Sequence, residues 1–343
     1  MTAATVQINA GVLARPAAEP AFASDTDWAG LWFDIMEKEA GEFVGMRAGR
    51  RAPGSEEPDW LFHSHTAYDG LGWFATLLQT ETRTTRIRIP RLKEIERPSL
   101  LRQMYGLLRL LTRKPQAAAV WNTWDAAWQA PPGGAKAGNA VAVHAFDSTA
   151  TRGLSTVASA QGISLNSLLL AALGRASEPL LQGGPAFWMV PVNMRGPVKL
   201  ASETANHTSY LQIKTEAGVT PRQLHEQVKA KLSRLEHWGG WLFANSGRIV
   251  RYAGMRWLYR RELARTKGRP WVGAFSNLGT WDDCGQWFVC PPVAKACPLG
   301  VGVVICDGAL SLTIDAHASI ARNPVWTRAL MGRWVDELAR LAL

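Results

Sequence analysis

The sequence predicts a mixed α/β sandwich, in which paired strands are covered by helices. Three observations carry this prediction. Strand-like segments recur from residue 60 to residue 316, and segments with helical periodicity stand between them. Residues 300–306 and 310–316 flank Asp307-Gly308-Ala309, which is a hairpin signal. Of the 343 residues, 47% are hydrophobic, enough for one large core or two packed lobes.

The elements follow in order. Residues 1–25, rich in Ala, Thr and Pro, read as a short strand with a loose leader. Asp25–Met36 reads as a helix with Trp28, Leu31, Trp32 and Ile35 on one face. Arg47–Asp59 is charged, carries Pro and Gly, and reads as a loop. Trp60–His65 alternates as a strand does, and Asp69 can cap a helix over Gly70–Leu78. Leu100–Leu111 is an amphipathic helix with Leu101, Met104, Tyr105, Leu108 and Leu111 on one face and Arg102, Arg109 and Arg113 on the other. That apolar face either packs on the core or rests on a membrane surface.

Ala130–Asn139 (APPGGAKAGN) is the linker candidate, dividing an N-terminal lobe (1–129) from a C-terminal lobe (140–343). After it come a strand at Ala140–Phe146, a helix at Thr149–Ala160, and a helix capped by Ser164 that runs to Ala176. Strands are expected at Phe187–Val192 and Ser209–Lys214, then a helix with Pro221 in its first turn that runs to Leu235. Trp271–Ser276, Trp287–Cys290 and the two hairpin arms read as strands, and Pro324–Leu341 as a final helix. The sequence has no internal repeat.

The net charge of +10 favours anionic partners such as phosphorylated small molecules, anionic lipid or acidic proteins. Cys284, Cys290, Cys297 and Cys306 form no C-x-x-C pair, so buried free thiols in strands are expected and no metal site. Residues 1–20 lack an apolar run behind a basic start, and no stretch of uncharged apolar residues is long enough to span a bilayer. The expected location is cytoplasmic, with peripheral membrane contact left open.

The chemistry concentrates at His65-Thr66-Ala67-Tyr68-Asp69-Gly70. A histidine at a strand end can act as a general base near neutral pH, taking a proton from a hydroxyl or amine as it attacks a carbonyl. Gly70 leaves room for a ligand close to the backbone, and Asp69 can hold the loop, orient the histidine or cap the helix. A structural histidine beside a common Asp-Gly turn is the alternative.

The chain resembles the superfamily of HxxxDG acyltransferases typified by chloramphenicol acetyltransferase. That superfamily includes nonribosomal-peptide condensation domains, plant BAHD acyltransferases and wax ester synthase/diacylglycerol acyltransferases. Beyond residues 65–70, the resemblance rests on Gly162-Ile163-Ser164-Leu165-Asn166-Ser167 and the apolar run to Leu173, on Val190-Pro191-Val192-Asn193-Met194-Arg195, on Phe275-Ser276-Asn277-Leu278-Gly279, and on Leu310–Ala316. Their order and spacing agree, and together they cover most of residues 60–343.

The resemblance implies a two-lobed sandwich with a central tunnel. An acyl thioester, on CoA or on the phosphopantetheine of an acyl carrier protein, enters one mouth, and a small-molecule or lipid acceptor enters the other. No resident cofactor is implied. His65 would be the base and Asp69 would pair with Arg195 as a structural ion pair, while Ser276 and Asn277 would face the developing oxyanion. For Ser276 and Asn277 the alternative is a turn that uses Asn for its backbone preferences. Two departures accompany the resemblance. Ser64 stands where many relatives carry the first of two adjacent histidines, with His63 one further back. Only 64 residues precede His65, which implies a shortened N-terminal lobe with one tunnel wall open or supplied by a second subunit, as in a homodimer.

From Arg248 to Arg269 there are eight cations against one acid, Glu262. Arg256, Arg260, Arg261 and Lys267 are candidates for docking CoA phosphates, an acidic carrier protein or anionic lipid. The alternative is a surface helix whose aromatic face is core. No nucleic-acid fold signature accompanies the charge, so nucleic acid is not an expected partner.

The leading expectation is therefore transfer of an acyl group from a thioester to a hydroxyl or amine, with O-acylation ahead of N-acylation. The alternative is a non-catalytic relative that binds carrier protein or lipid.

Overall fold

The computed structural model describes residues 26–41, 44–52, 54–55, 57–82, 89–91, 96–122, 140–321 and 323–342. The leader strand and the 130–139 linker lie outside these residues.

Among the described residues six strands form the main sheet, in the order β4 (Val141–Phe146), β11 (Ala309–Ala316), β10 (Leu299–Cys306), β8 (Gly273–Trp281), β6 (Ala186–Asn193), β7 (Thr208–Thr215). The pairs β10/β8 and β8/β6 are parallel and the outer pairs antiparallel. The central strand β10 is buried along nearly its whole length, which is why LGVGVVIC reads as a near-continuous apolar run. Cys306 pairs with Ala309 across Asp307 and Gly308, whose φ values of 50° and 78° are those of a type I′ turn.

Helices α4 (Ser148–Ala160), α5 (Leu165–Ser177), α6 (Pro221–Ser233) and α9 (Pro324–Ala342) contribute to the core on one face of this sheet. Their starts are written in their caps. The side chain of Asp147 accepts from Ala150 N–H, Ser164 accepts from Ser167 N–H, and Thr220 with Gln223 forms a capping box ahead of Pro221. Buried Trp334 donates its indole N–H to Leu169 O at 2.9 Å, tying α9 to α5.

A second sheet has the order β2 (Asp59–Ser64), β1 (Gly45–Arg50), β9 (Trp287–Cys290), and β3 (Val120–Trp121) pairs antiparallel with β5 (Leu181–Gln182) in a separate two-stranded ribbon. The second sheet crosses β10 at very close range, for a Cβ on Gly302 would sit 1.6 Å from Val289 O. Gly302 is therefore what lets β9 pass over the main sheet. β1 lies where the sequence predicts a loop. Its residues GMRAGR include no β-branched or aromatic side chain, so local propensity opposes a strand. Antiparallel partners on both sides satisfy its backbone, and Met46 and Ala48 are buried.

Several boundaries also differ. The first helix is α1 (Leu31–Ala40), with Trp28 in the turn before it. Trp28 and Ile35 still share a buried cluster with Met255. The helix from Pro221 stops at Ser233, and α7 (Glu236–Ala244) and α8 (Gly247–Arg265) follow. All four thiols are buried and free, but Cys284 and Cys297 lie outside strands.

Helix α3 (Leu100–Leu111) overturns the expectation of a core-facing apolar side. Its buried residues are Gln103 and Gly106, while Leu101 is 83% exposed and Leu108 58%; Leu100, Met104, Tyr105 and Leu111 are exposed with them. The cause is backbone contact. A Cβ on Gly106 would lie 2.2 Å from Leu235 O, and one on Gly239 of α7 would lie 2.3 Å from Gly106 O. Two helices that meet through glycines place the opposite side of α3, the leucine side, outward.

Candidate active site

His65 follows the last residue of β2 and is 8% exposed. Its Nδ1 lies 3.1 Å from Asn206 Oδ1. The Asn206 amide nitrogen donates to Asp27 Oδ2 at 2.9 Å and to His65 O at 3.3 Å. With its NH2 facing two acceptors, Asn206 turns an acceptor oxygen toward the imidazole. Nδ1 therefore carries the proton, and Nε2 is left with a free lone pair. Burial holds the imidazole pKa below its usual value, against the opposing pull of Asp69. Phe33 of α1 stacks on the ring, with centroids 3.7 Å apart and planes within 13°.

Asp69 begins the helix α2 (Gly70–Thr82) and is 1% exposed. Oδ1 accepts from Gly72 N–H at 2.8 Å, a capping bond, and from Arg195 Nη2 at 2.8 Å. Oδ2 accepts from Arg195 Nη1 at 2.8 Å, Thr208 Oγ1 at 2.9 Å and His207 N–H at 3.0 Å. Both oxygens are thus committed to groups other than the His65 ring. Arg195 is fully buried, and its remaining donors reach Glu203 O, Ala205 O and Asn193 Oδ1. The pair joins α2 to the β6–β7 connection, which also carries Asn206, so it fixes the histidine and its partner in one frame.

A Cβ on Gly70 would approach Leu278 Cδ2 to 3.1 Å, whereas one on Gly72 would lie 2.0 Å from Thr204 O. The tightest backbone approach at the start of α2 is therefore at Gly72.

Ser276 and Asn277 sit where β8 is irregular. Val303 pairs with Asn277 but Ile305 pairs with Thr280, and Gly279 has φ 81°. The Asn277 carbonyl oxygen accepts from Gly279 N–H at 2.7 Å, and its amide nitrogen donates to Asn166 of α5. The bulge re-aims the strand at this point.

Two cavities meet at His65. The smaller, about 80 Å³, is lined by Gly70, Ser276, Asn277, Leu278 and Arg47. The larger, about 290 Å³, is lined by Phe33, Asn206, Tyr210, Phe243, Leu263 and Trp271 among others. His65, Pro191, Thr208 and Pro291 line both and form the neck. Tyr210 stays a neutral phenol, its pKa pushed up to about 12 by burial. Arg47 is held by Asp315 at 2.7 Å, whose buried carboxyl is pushed up to about 6.

The four basic docking candidates line neither cavity. Arg256 and Arg260 both pair with Glu39 of α1, Arg261 lies over the exposed Trp257 ring at 5.1 Å, and Lys267 follows the end of α8. The cations at the larger cavity are instead Arg113, Lys114 and Arg265. Sequence reasoning also missed Asn206, Asp27 and Phe33. The polar pair Asn206-His207 directly before a strand was the available signal for the first.

No family model and no curated protein sequence matches the chain. Solved structures do. The nonribosomal peptide synthetase FmoA3 in its α-methyl-L-serine-AMP-bound form aligns over 92% of this chain and 41% of its own, at 13% identity and TM-score 0.55. The cyclization–docking bidomain of the synthetase EpoB from Sorangium cellulosum aligns over 83% of this chain and 59% of its own, at 13% identity and TM-score 0.53. The condensation domain of the Monacolin K polyketide synthase MokA aligns over 84% of this chain and 70% of its own, at 11% identity and TM-score 0.50. With identities this low the likeness concerns architecture, and in architecture this chain has the mixed α/β fold of the condensation domains.

Proposed function

We propose that the protein is an acyltransferase that moves an acyl group from a thioester, on CoA or on a carrier protein, to a hydroxyl or amine. The observation that carries this reading is His65 at the neck between two cavities, with Nδ1–H committed to Asn206 and Nε2 left as a base. A donor and an acceptor that approach from opposite sides meet at that neck. Nε2 takes the acceptor proton as its oxygen or nitrogen attacks the thioester carbonyl. The carbon–sulfur bond then breaks and the thiolate takes the proton from the imidazolium. Thiolate is a good leaving group, so no covalent enzyme intermediate is required. Ser276 and Asn277 border the smaller cavity and are the proposed oxyanion donors. Asp69 and Arg195 hold the loop and take no part in proton transfer. Residues 162–173 and 190–195 resemble the wax ester synthase branch and condensation domains alike, so ester and amide formation both fit; O-acylation is put first and the acceptor panel decides between them.

The test is intact-mass detection of products from a panel of acyl-CoAs and acyl carrier proteins with alcohol and amine acceptors. His65→Ala should lower turnover by about 10²-fold or more. Unchanged turnover in that variant would remove His65 as the base. Donor binding without His65-dependent transfer would favour the binding-only reading.

A further inference from the structure

Amphipathic helices on soluble proteins turn their apolar side inward, and α3 does the reverse. Its outward leucine side spans the length of the helix, roughly 16 Å at 1.5 Å per residue. No acidic residue occurs within the helix, and Arg102 and Arg109 are exposed beside the leucines. Arg109 lies over the Tyr105 ring at 6.0 Å. Long cationic side chains at the edge of an apolar strip can reach the headgroup layer while the strip lies at the acyl boundary.

Two further observations belong to the same face. Leu101, Arg102 and Tyr105 border a groove completed by Ser233, Arg234 and Leu235 at and just past the end of α6, so among the described residues two arginines and two hydroxyls surround it and no acid does. The other end of α3 lies at the larger cavity, where Leu110, Leu111, Arg113 and Lys114 form part of the lining that leads to His65. Among the described residues no single helix is long and apolar enough to cross a bilayer, so this face would lie on a membrane rather than insert through one.

We propose that α3 and the Arg102–Arg234 groove seat the protein on an anionic lipid surface, with the larger cavity opening toward the lipid. The bilayer fits better than an acidic carrier protein. An acidic partner is met by cations, whereas here six exposed apolar side chains form the centre of the patch and the cations its edge. The groove then takes a lipid phosphate, and an apolar acceptor reaches the His65 neck without crossing water.

The experiment uses the full chain and vesicles, and it needs no turnover, so it can fail independently of the acyl-transfer reading. Co-sedimentation is measured with vesicles of phosphatidylcholine alone and of phosphatidylcholine mixed with phosphatidylglycerol, at low and high salt. Wild type should bind the anionic vesicles and release them as salt rises. Leu101→Glu with Leu108→Glu should lower binding by about tenfold or more. Arg102→Glu with Arg234→Glu should lower it by about tenfold or more and flatten the salt dependence. All four positions are exposed, and a thermal midpoint matching wild type checks each variant's fold. Three outcomes would overturn the proposal: no anionic-vesicle binding by wild type, equal binding by wild type and the Leu101/Leu108 variant, or a self-association or acyl-carrier-protein complex lost in that variant while vesicles are ignored.

Discussion

Replacing Asp69 by asparagine removes one negative charge from a site closed to water. The side chain keeps its shape, so the change isolates charge and hydrogen bonding. Asp69 accepts five hydrogen bonds, two at Oδ1 and three at Oδ2. An asparagine does least harm with its NH2 at the Oδ1 position, where it faces two donors, Gly72 N–H and Arg195 Nη2. The buried guanidinium of Arg195 then keeps hydrogen-bond acceptors but has no counter-charge. Breaking a buried pair from one side costs about 3–5 kcal/mol. For a chain of 343 residues the melting entropy turns that into a midpoint drop of about 4–7 °C. Differential scanning calorimetry of Asp69→Asn reads it directly. The double variant Asp69→Leu with Arg195→Met should lose less than the sum of its single variants, because it leaves no unpaired charge. A drop below about 1 °C for Asp69→Asn, or strict additivity in the double variant, would refute the pair as the brace of the histidine loop.

Three more expectations follow from the same geometry. Asn206→Ala leaves Nδ1–H without its acceptor, while Asp27 Oδ2 keeps the backbone N–H of residue 206; kcat should fall about tenfold or more with KM little changed, and with an unaltered circular dichroism spectrum. Burial lowers the His65 pKa, so the acid limb of kcat/KM should have its midpoint below about 6.5, the value of a free imidazole. The stability contributed by keeping that ring neutral is fully present above the unfolded value, about 6.5, and is lost as pH falls through the lower folded value, which urea titrations across this range would follow. Finally, Gly72→Ala drives a methyl into Thr204 O and should cost about 1–3 kcal/mol, whereas Gly332→Ala, in α9 with open space around its Cβ position, should stabilise by about 0.5–1 kcal/mol, both read as shifts in urea midpoint.

Local signals located most of the architecture. The apolar runs of β9 and β10 announce themselves because each strand must bury nearly its own length. The cap Ser164, Pro221 in the first turn of α6 and the Asp307-Gly308 turn mark starts and reversals, because orphan backbone donors and positive φ admit few residue types. β1 was illegible for the opposite reason, since its strand state is imposed by β2 and β9 and not by its own residues.

The periodicity of Leu100–Leu111 established by itself that α3 has an apolar side, and the spacing of residues 65–70 that a histidine stands at a strand end before a capped helix. Where the apolar side points was decided by Gly106 and Gly239, whose backbones meet only in the folded chain. Whether His65 has a free Nε2 was decided by Asn206, 141 residues away, and Asp27 behind it. The cations of α8 likewise met Glu39 from a helix more than two hundred residues distant in sequence. A sequence pattern records what each segment must satisfy locally. Which partner satisfies it across the fold depends on packing, and only the tertiary structure holds that.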